Sequence, residues 1–563
     1  MLGLMQDQPL LISQIITHAA RHHGTAEVVS RTVEGSIHRT TYAGLERRAR
    51  RLARALQRLD VGDGDRVATL AWNGYRHLEL YYGVSGMQAI CHTVNPRLSA
   101  DDIVFILRDA GAVLLFAETS FVALIEAAAP RLAGQLRAVV MMADHADMPT
   151  VALPAGMDLL CYEDLMAAAD EHYSWPSFDE RTAAALCYTS GTTGRPRGVL
   201  YSHRSTVLHA YAMSLPDVAG LRSVDRFLPV VPMFHVNAWG FPYAAPMNGS
   251  ALIMPGRHLD GASLTTLMND ERVTVSAGVP TVWLGLLQHL RASGQRLETV
   301  QRLSIGGSAC PRMLFDAFDA EYGVRIQHAW GMTETSPIGT YNTPKASNAH
   351  LAGEAEMRLR LKQGRALFGI DMRIVDDEGR ALDQDGVRTG HLQVRGPWVC
   401  NAYYGQAAGS ALDGEGWFTT GDVASIDADG YMEITDRSKD VIKSGGEWIS
   451  SIQLENIAVS HPDVAEAAIV AAKHPKWDER PLLLVVAKTG RSIDKADLLH
   501  VYDGKVPRWW LPDAVVVVDE LPHTATGKLQ KMVLRGRYRN YLVDSGVTAE
   551  TTVQPPSPPP PGR

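Results

Sequence analysis

Short apolar runs recur along the first two thirds of the chain: VATLAW, AVLLFA, AVVMM, AAALCY, ALIMP and VTVSAGVP. Between them lie segments of helical period, such as SLTTLMNDE, TVWLGLLQHLRAS and CPRMLFDAFDAEYG. Buried strands alternating with amphipathic helices predict an α/β fold, with mostly parallel sheets covered by helices. The stretch YAGLERRARRLARALQRLD puts Leu45, Ala49, Leu52, Ala53 and Leu56 on one helical stripe, with six arginines around the remaining face. That is the pattern of a packed helix with a solvated basic side. The first residues, MLGLMQDQPLLISQIITHAARHH, read as a surface helix.

From about Phe368 the pattern shifts to short strands and Asp/Gly turns, IVDDEGRAL, HLQVRGP and SIDADGYMEI. These are hairpin signals and predict an antiparallel, distorted barrel-like section. After Asp436, ISSIQLENIAVSHPDV reads as a helix, while EAAIVAAK, PLLLVVAK and DAVVVVDELP read as strands. They fit a small α+β domain of roughly 110 residues. The ending PPSPPPPGR cannot build a core, so residues 546–563 are expected to be a disordered Pro-rich tail. The fold class expected is therefore α/β: a large N-terminal domain of two helix-covered sheets plus a distorted β-barrel, then a small α+β C-terminal domain.

At 563 residues the chain exceeds what one core supports, which requires at least two domains. The formal net charge of −8 argues against a general nucleic-acid binder, whose affinity comes from clustered Lys and Arg. Any phosphate chemistry must be local. Five widely spaced cysteines, with no C-x-x-C pair, speak against a disulfide framework or a zinc site and for a reducing compartment. No apolar run reaches the roughly 18 residues that span a bilayer. The N-terminus has its basic residues behind the apolar part, unlike a signal peptide, so a cytoplasmic location is expected.

One stretch, YTSGTTGRPRGVLYSHRS, resembles a phosphate loop but lacks the Walker spacing G-x-x-x-x-G-K-[ST]. It packs Thr189, Ser190, Thr192 and Thr193 with Gly191, Gly194 and Gly198 directly after the apolar strand AAALCY. A strand opening into such a loop offers N–H and O–H donors without bulk, as close approach to a polyphosphate requires.

Seven separated motifs then agree: YTSGTTGRPRGV, FHVNAWG, GGSACP, HAWGMTETSP, WFTTGD, DRSKDVIKSGGEWIS and LPHTATGKLQK. In this order the chain, to about residue 545, resembles the AMP-forming acyl-CoA synthetases of the adenylate-forming superfamily. The resemblance implies a reaction in which a carboxylate attacks the α-phosphorus of ATP, pyrophosphate leaves, and the thiol of coenzyme A then attacks the acyl adenylate. Such catalysis is positioning and charge neutralisation. Thr189 to Gly194 are implied to hold the β- and γ-phosphates. Glu334, with the Thr189 hydroxyl, is implied to ligate Mg2+, which takes only one or two protein carboxylates beside phosphate oxygens. Trp330 with Gly306, Gly307 and Gly331 fits an adenine slot, and Ser308, His328 and Thr333 belong to the same nucleotide-side motifs. Asp422 is implied to accept the ribose hydroxyls and Arg437 to reach ribose or phosphate. Lys528 is implied to be the main catalytic cation, a mobile charge between the attacking carboxylate and the α-phosphate.

The resemblance also implies how one site runs two reactions. Residues 1–435 would form the adenylation domain, 436–440 a hinge at Lys439, and 441–545 a mobile domain. Rotation would withdraw Lys528 and bring Lys443, Gly445, Gly446 and Trp448 to the site, where glycines leave room for the pantetheine arm. Amino-acid-adenylating relatives place an Asp after the Phe of FHVNAWG; here His235 stands there, also implied to be catalytic, so the acid carries no α-ammonium. Phe234, Val236 and Trp239 suggest an apolar acyl channel. The motifs are similar to those of medium- and long-chain fatty-acid CoA ligases, in which the Trp can gate the tunnel, and of 3-methylmercaptopropionyl-CoA ligases. The expected partners are a small carboxylic acid, ATP and coenzyme A, without nucleic acid or an integral membrane segment, and a homodimer is compatible with them. A module loading a carrier protein, a luciferase-like oxygenase and a non-catalytic nucleotide-binding protein are the competing readings. Arg197 departs from the family pattern, which has Lys at that position of GxPKG.

Overall fold

The computed structural model describes residue 1 and residues 3–189, 195–444, 447–523 and 529–545. It divides into two compact units: Met1–Asp371 with Val394–Phe418, and Met372–Gln393 with the chain from Thr419 onward.

In the first unit, a seven-stranded sheet of described residues runs in the order Asp158–Cys161, Ala138–Met141, Ala112–Ala117, Arg66–Leu70, Ile90–Thr93, Ala183–Tyr188, Gly198–Ser202. All neighbours are parallel except the last pair, whose antiparallel turn is the hydroxyl-rich loop. A second sheet orders Ala251–Met254, Arg226–Pro229, Val275–Gly278, Arg302–Ile305 and Arg325–Gly331 as parallel neighbours, then turns antiparallel at Ile338–Tyr341. Every apolar run singled out above is one of these strands. Separate cores fill the two sheets' helix layers, one around Trp283, Leu286 and Phe315, the other around Ile103, Leu107 and Leu115.

The arginine-rich helix spans Tyr42–Arg58, capped by Thr41, and buries all five stripe residues. Its basic side is less solvated than its sequence suggests. Arg48 pairs with the fully buried Glu79 and with Glu163, which ties the helix to its neighbours. The N-terminal helix, Ile12–His22, is likewise more than a surface element. Ile12, Ile15, Ile16 and Ala19 are core residues, and the Ile12 N–H donates to His203 Nδ1 at 3.1 Å.

Most of a ribbon of neighbouring strands, 371–375, 390–395, 418–426 and 431–437, belongs to the second unit, at the sequence positions expected of the barrel-like section. The remainder is α+β: the long antiparallel pair Val464–His474 and Asp478–Ala487, with Ala514–Val517 parallel to the second. The helix expected from Ile449 is shorter, Ser451–Ala458, because Glu447–Ile449 pairs as a strand and the Ser450 hydroxyl caps the helix start. The α/β class with a large N-terminal part and a smaller C-terminal part holds. Among the described residues, no helix is long and apolar enough to cross a membrane. The tail 546–563 lies outside the described residues.

Candidate functional site

The antiparallel pair Ala183–Tyr188 and Gly198–Ser202 brings the two ends of the hydroxyl-rich loop together. Beyond the last ladder pair, Thr189 N–H donates to Arg197 O at 2.9 Å, and Arg197 N–H reaches Thr189 Oγ1 at 3.4 Å. The loop itself, Ser190, Gly191, Thr192, Thr193 and Gly194, lies outside the described residues. From the loop's base, the Arg197 guanidinium lies 3.9 Å from the centroid of the Tyr403 ring. The Tyr403 hydroxyl donates to Glu334 Oε1 at 2.8 Å.

Glu334 sits in the tight turn Thr333–Thr335 and is only 5% exposed. Its backbone carbonyl accepts the Cys400 N–H at 2.8 Å, and the Thr333 carbonyl accepts the Tyr201 hydroxyl at 2.7 Å. A carboxylate buried in this way is a hard-oxygen donor of the kind a magnesium ion takes.

The residues expected on the nucleotide side lie on the strand Arg325–Gly331 that leads into this turn and after the strand Arg302–Ile305 beside it. A Cβ at Gly331 would lie 1.9 Å from the Pro337 carbonyl oxygen, so the turn's own packing requires glycine there. Trp330 is buried with its ring against Gly339, where a Cβ would come within 2.4 Å of it. Gly307 has φ +84°, a left-handed conformation suited to glycine, and presents the exposed Ser308. His328 is buried, its Nδ1 3.0 Å from Leu361 O, and burial pushes its pKa down to about 4, so its imidazole is neutral.

On the acyl side, Asn73 sets the entry to FHVNAWG. Its Oδ1 accepts the Met233 N–H at 2.7 Å, while its Nδ2 donates to the carbonyls of Pro229 and Val231 at 2.8 and 2.9 Å. His235 follows, partly exposed. Val236, Asn237, Ala238 and Trp239 then take φ of 48, 49, 47 and 58°, one turn of left-handed backbone. Each such residue costs about 1–2 kcal/mol, so the turn persists only because its surroundings over-determine it. Asn237 Oδ1 accepts from the Tyr81 hydroxyl and from Cys187 Sγ, each at 3.3 Å, and Gly240 completes the reversal.

The turn drives Phe234, Val236 and Trp239 into buried positions. A Cβ on Gly306 would lie 3.1 Å from Trp239 Cη2 and 2.9 Å from Ala329 O, so this glycine makes room for the indole next to the strand Arg325–Gly331. Trp72 meets Phe234 edge-on at 5.8 Å, and the Arg97 guanidinium lies over both rings at 5.6 and 5.8 Å.

In the second unit, Asp422 and Arg437 are direct cross-strand partners, with Asp422 Oδ1 3.6 Å from Arg437 Nε. Lys443 and Trp448 are likewise opposite, the ammonium 5.5 Å from the ring centroid. Gly445, Gly446 and Lys528 lie outside the described residues. The Lys439 carbonyl accepts from the Arg535 guanidinium, which also pairs with Asp440. Beside it, buried Asp436 accepts the Ser451 N–H at 2.6 Å, and Lys531 Nζ lies 2.7 Å from Glu455 Oε1. Burial pushes the Glu455 carboxyl up to about 7 against the pull of Lys531.

Sequence reasoning missed Tyr403, Tyr201, Asn73 and Trp72. The doublet in NAYYG and the Asn-Gly in AWNGY carried no periodic signal; only their contacts reveal them.

The AMP-binding enzyme family matches residues 16–404, and the AMP-binding enzyme C-terminal domain matches residues 453–528. The chain is 50% identical over 542 residues to a 3-methylmercaptopropionyl-CoA ligase from Ruegeria pomeroyi, covering 96% of this chain and 100% of that one. It is 47% identical over 545 residues to a medium-chain-fatty-acid–CoA ligase from Ectopseudomonas oleovorans, covering 97% and 99%. The fold is shared with the crystal structure of the anthranilate CoA ligase AuaEII in complex with anthranoyl-AMP, at a TM-score of 0.83 and 24% identity over 96% of this chain and 100% of that one. The motifs, their order and these likenesses converge: the chain belongs to the AMP-binding enzymes of the adenylate-forming superfamily, and it is an acyl-CoA ligase.

Proposed function

We propose that this ligase activates uncharged, apolar carboxylic acids, with medium- to long-chain fatty acids as its substrate class. The observation that carries the reading is the apolar group Phe234, Val236 and Trp239, all buried at the left-handed turn, with the Trp239 indole against Gly306. Such a group favours apolar tails by burying their methylenes, each worth about 0.8 kcal/mol.

A carboxylate oxygen attacks the α-phosphorus and the bond to pyrophosphate breaks; the coenzyme A sulfur then attacks the acyl carbon and AMP leaves. Lys528 balances charge in the first step, and Asp422 with Arg437 holds the ribose. Glu334 with Thr189 would hold a magnesium ion, which when bound supplies positive charge at the phosphate oxygens. Residues 436–440, with Lys439 as pivot, form the hinge in this reading, and Lys443, Gly445, Gly446 and Trp448 line the route of the coenzyme A thiol. Cytoplasmic residence belongs to the same proposal.

A second reading, the short thioether acid 3-methylmercaptopropionate, is favoured by Trp239, whose indole lies against Gly306 and would shorten an acyl slot there. A panel of acids from C3 to C18 including 3-methylmercaptopropionate, compared by kcat/KM, tests both. Rising kcat/KM with chain length to C8 or beyond supports the fatty-acid reading, and a sharp preference for the thioether acid replaces it with the second. Preference for a charged or amino acid overturns both.

A further inference from the structure

We propose that Tyr403 is a positioning residue for the Glu334 carboxylate, and that Arg197 in turn sets Tyr403, so that the base of the phosphate loop and the metal-side acid form one rigid chain of contacts. The proposal rests on the reading of Glu334 as the magnesium-side carboxylate. It explains the unexpected arginine in GRPRG and gives a role to a tyrosine that no motif singled out.

Glu334 is held at two points by one segment. Its backbone carbonyl accepts the Cys400 N–H and its Oε1 accepts the Tyr403 hydroxyl, both at 2.8 Å. The two contacts fix the turn and then the carboxylate plane. A carboxylate has about four lone-pair sites, so one donor orients it without exhausting its capacity to ligate. Tyr403 is 8% exposed, and its hydroxyl donates to that oxygen from a fixed ring.

The ring is fixed in turn. It packs with Ala185, Cys187, Val199 and Tyr201, and its neighbour Tyr404 donates its N–H to Gly198 O at 2.8 Å. The Arg197 guanidinium caps the ring at 3.9 Å. A planar guanidinium stacks on an aromatic face where a lysine ammonium would be a point charge, which separates this residue from the lysine of related motifs. Arg197 also pairs with Thr189 through its backbone, so one chain of contacts runs from Thr189 through the ring to Glu334.

A purely structural Tyr403 would contribute through its ring alone. Tyr403→Phe keeps the ring and the Arg197 stack and removes only the hydroxyl. Calorimetric titration of the full-length enzyme with ATP, across a magnesium series and without acid, gives the affinity for magnesium-ATP; AMP without metal serves as the control ligand. We expect Tyr403→Phe to weaken magnesium-ATP binding about tenfold or more, in the range typical of groups that orient a metal ligand. Its AMP affinity and its KM for the acid should stay at the wild-type level. Arg197→Met should shift magnesium-ATP binding in the same direction.

Wild-type magnesium dependence in Tyr403→Phe overturns the proposal, as does an equal loss for AMP and magnesium-ATP, which would mark a packing defect. Glu334→Gln separates the two levels. If it too leaves magnesium dependence unchanged, the reading of Glu334 itself fails; if it alone is sensitive, only the role of Tyr403 falls.

Discussion

Asp422 and Arg437 face each other across two antiparallel strands, oxygen to nitrogen 3.6 Å, with the carboxylate buried and the guanidinium partly exposed. An ion pair with one partner in solvent contributes about 0–1 kcal/mol to stability. The pairing therefore matters for what it prepares, an acceptor and a cation presented on one face of a ribbon. Arg437→Ala should leave the unfolding free energy within ~1 kcal/mol of wild type. Asp422→Ala should weaken AMP binding about tenfold to a hundredfold, the loss expected for hydrogen bonds to a charged acceptor. Equilibrium dialysis with AMP checks this, and wild-type affinity in Asp422→Ala would remove the residue from the nucleotide site.

Trp239 lies against Gly306, and in the proposed reading it ends the acyl slot. Trp239→Gly should lengthen the slot, raising the ratio of kcat/KM for dodecanoate over butyrate by about tenfold or more, since each added buried methylene is worth about 0.8 kcal/mol. An unchanged chain-length profile would place the tunnel elsewhere.

Glu118 is buried, its Oε2 accepting the Trp72 N–H at 3.1 Å, and burial pushes its carboxyl up to about 7. The folded state thus binds the proton more tightly than the unfolded chain, where the pKa is about 4.3. Its contribution to stability is complete below about pH 4.3 and is lost as the pH rises through about 7, a change of up to ~4 kcal/mol. Glu118→Gln, neutral throughout, should lack this loss. Denaturant unfolding at pH 5 and pH 8 should show the variant gaining on wild type at the higher pH; a constant difference would contradict the shift.

Much of the architecture was legible because apolar runs bounded by helical periods permit few arrangements. Leu45, Ala49, Leu52, Ala53 and Leu56 lie on the buried face that their spacing demands. The helix at Ser451 was misjudged at its start because Trp448 and Ile449 read equally well in either period, and cross-strand pairing with Lys443 and Ile442 decides for a strand. At the site, glycines and acids in motifs were readable as types. Their supports were not: Tyr403 reaches Glu334 across 69 residues of sequence, and Asn73 reaches Met233 across 160. Nor did spacing disclose four consecutive left-handed residues from Val236 to Trp239, since no glycine precedes Gly240 there.

In the proposed reaction Lys528 serves the first step and not the second. Lys528→Ala should slow acid-dependent pyrophosphate release about a hundredfold or more, as loss of a transition-state donor does. Thioester formation from presynthesised acyl-AMP and coenzyme A should stay near the wild-type rate. Rapid quench of both half-reactions checks the split, and equal losses in the two would deny the residue its separate role.

The most direct test of the whole account follows the fate of ATP in the wild-type enzyme, supplied with octanoate, magnesium and coenzyme A. Chromatography of the products should find AMP, pyrophosphate and octanoyl-CoA in equal amounts. With coenzyme A left out, octanoyl-AMP should accumulate on the enzyme together with one equivalent of pyrophosphate. Formation of ADP and phosphate, or pyrophosphate release that does not depend on an acid, would contradict it.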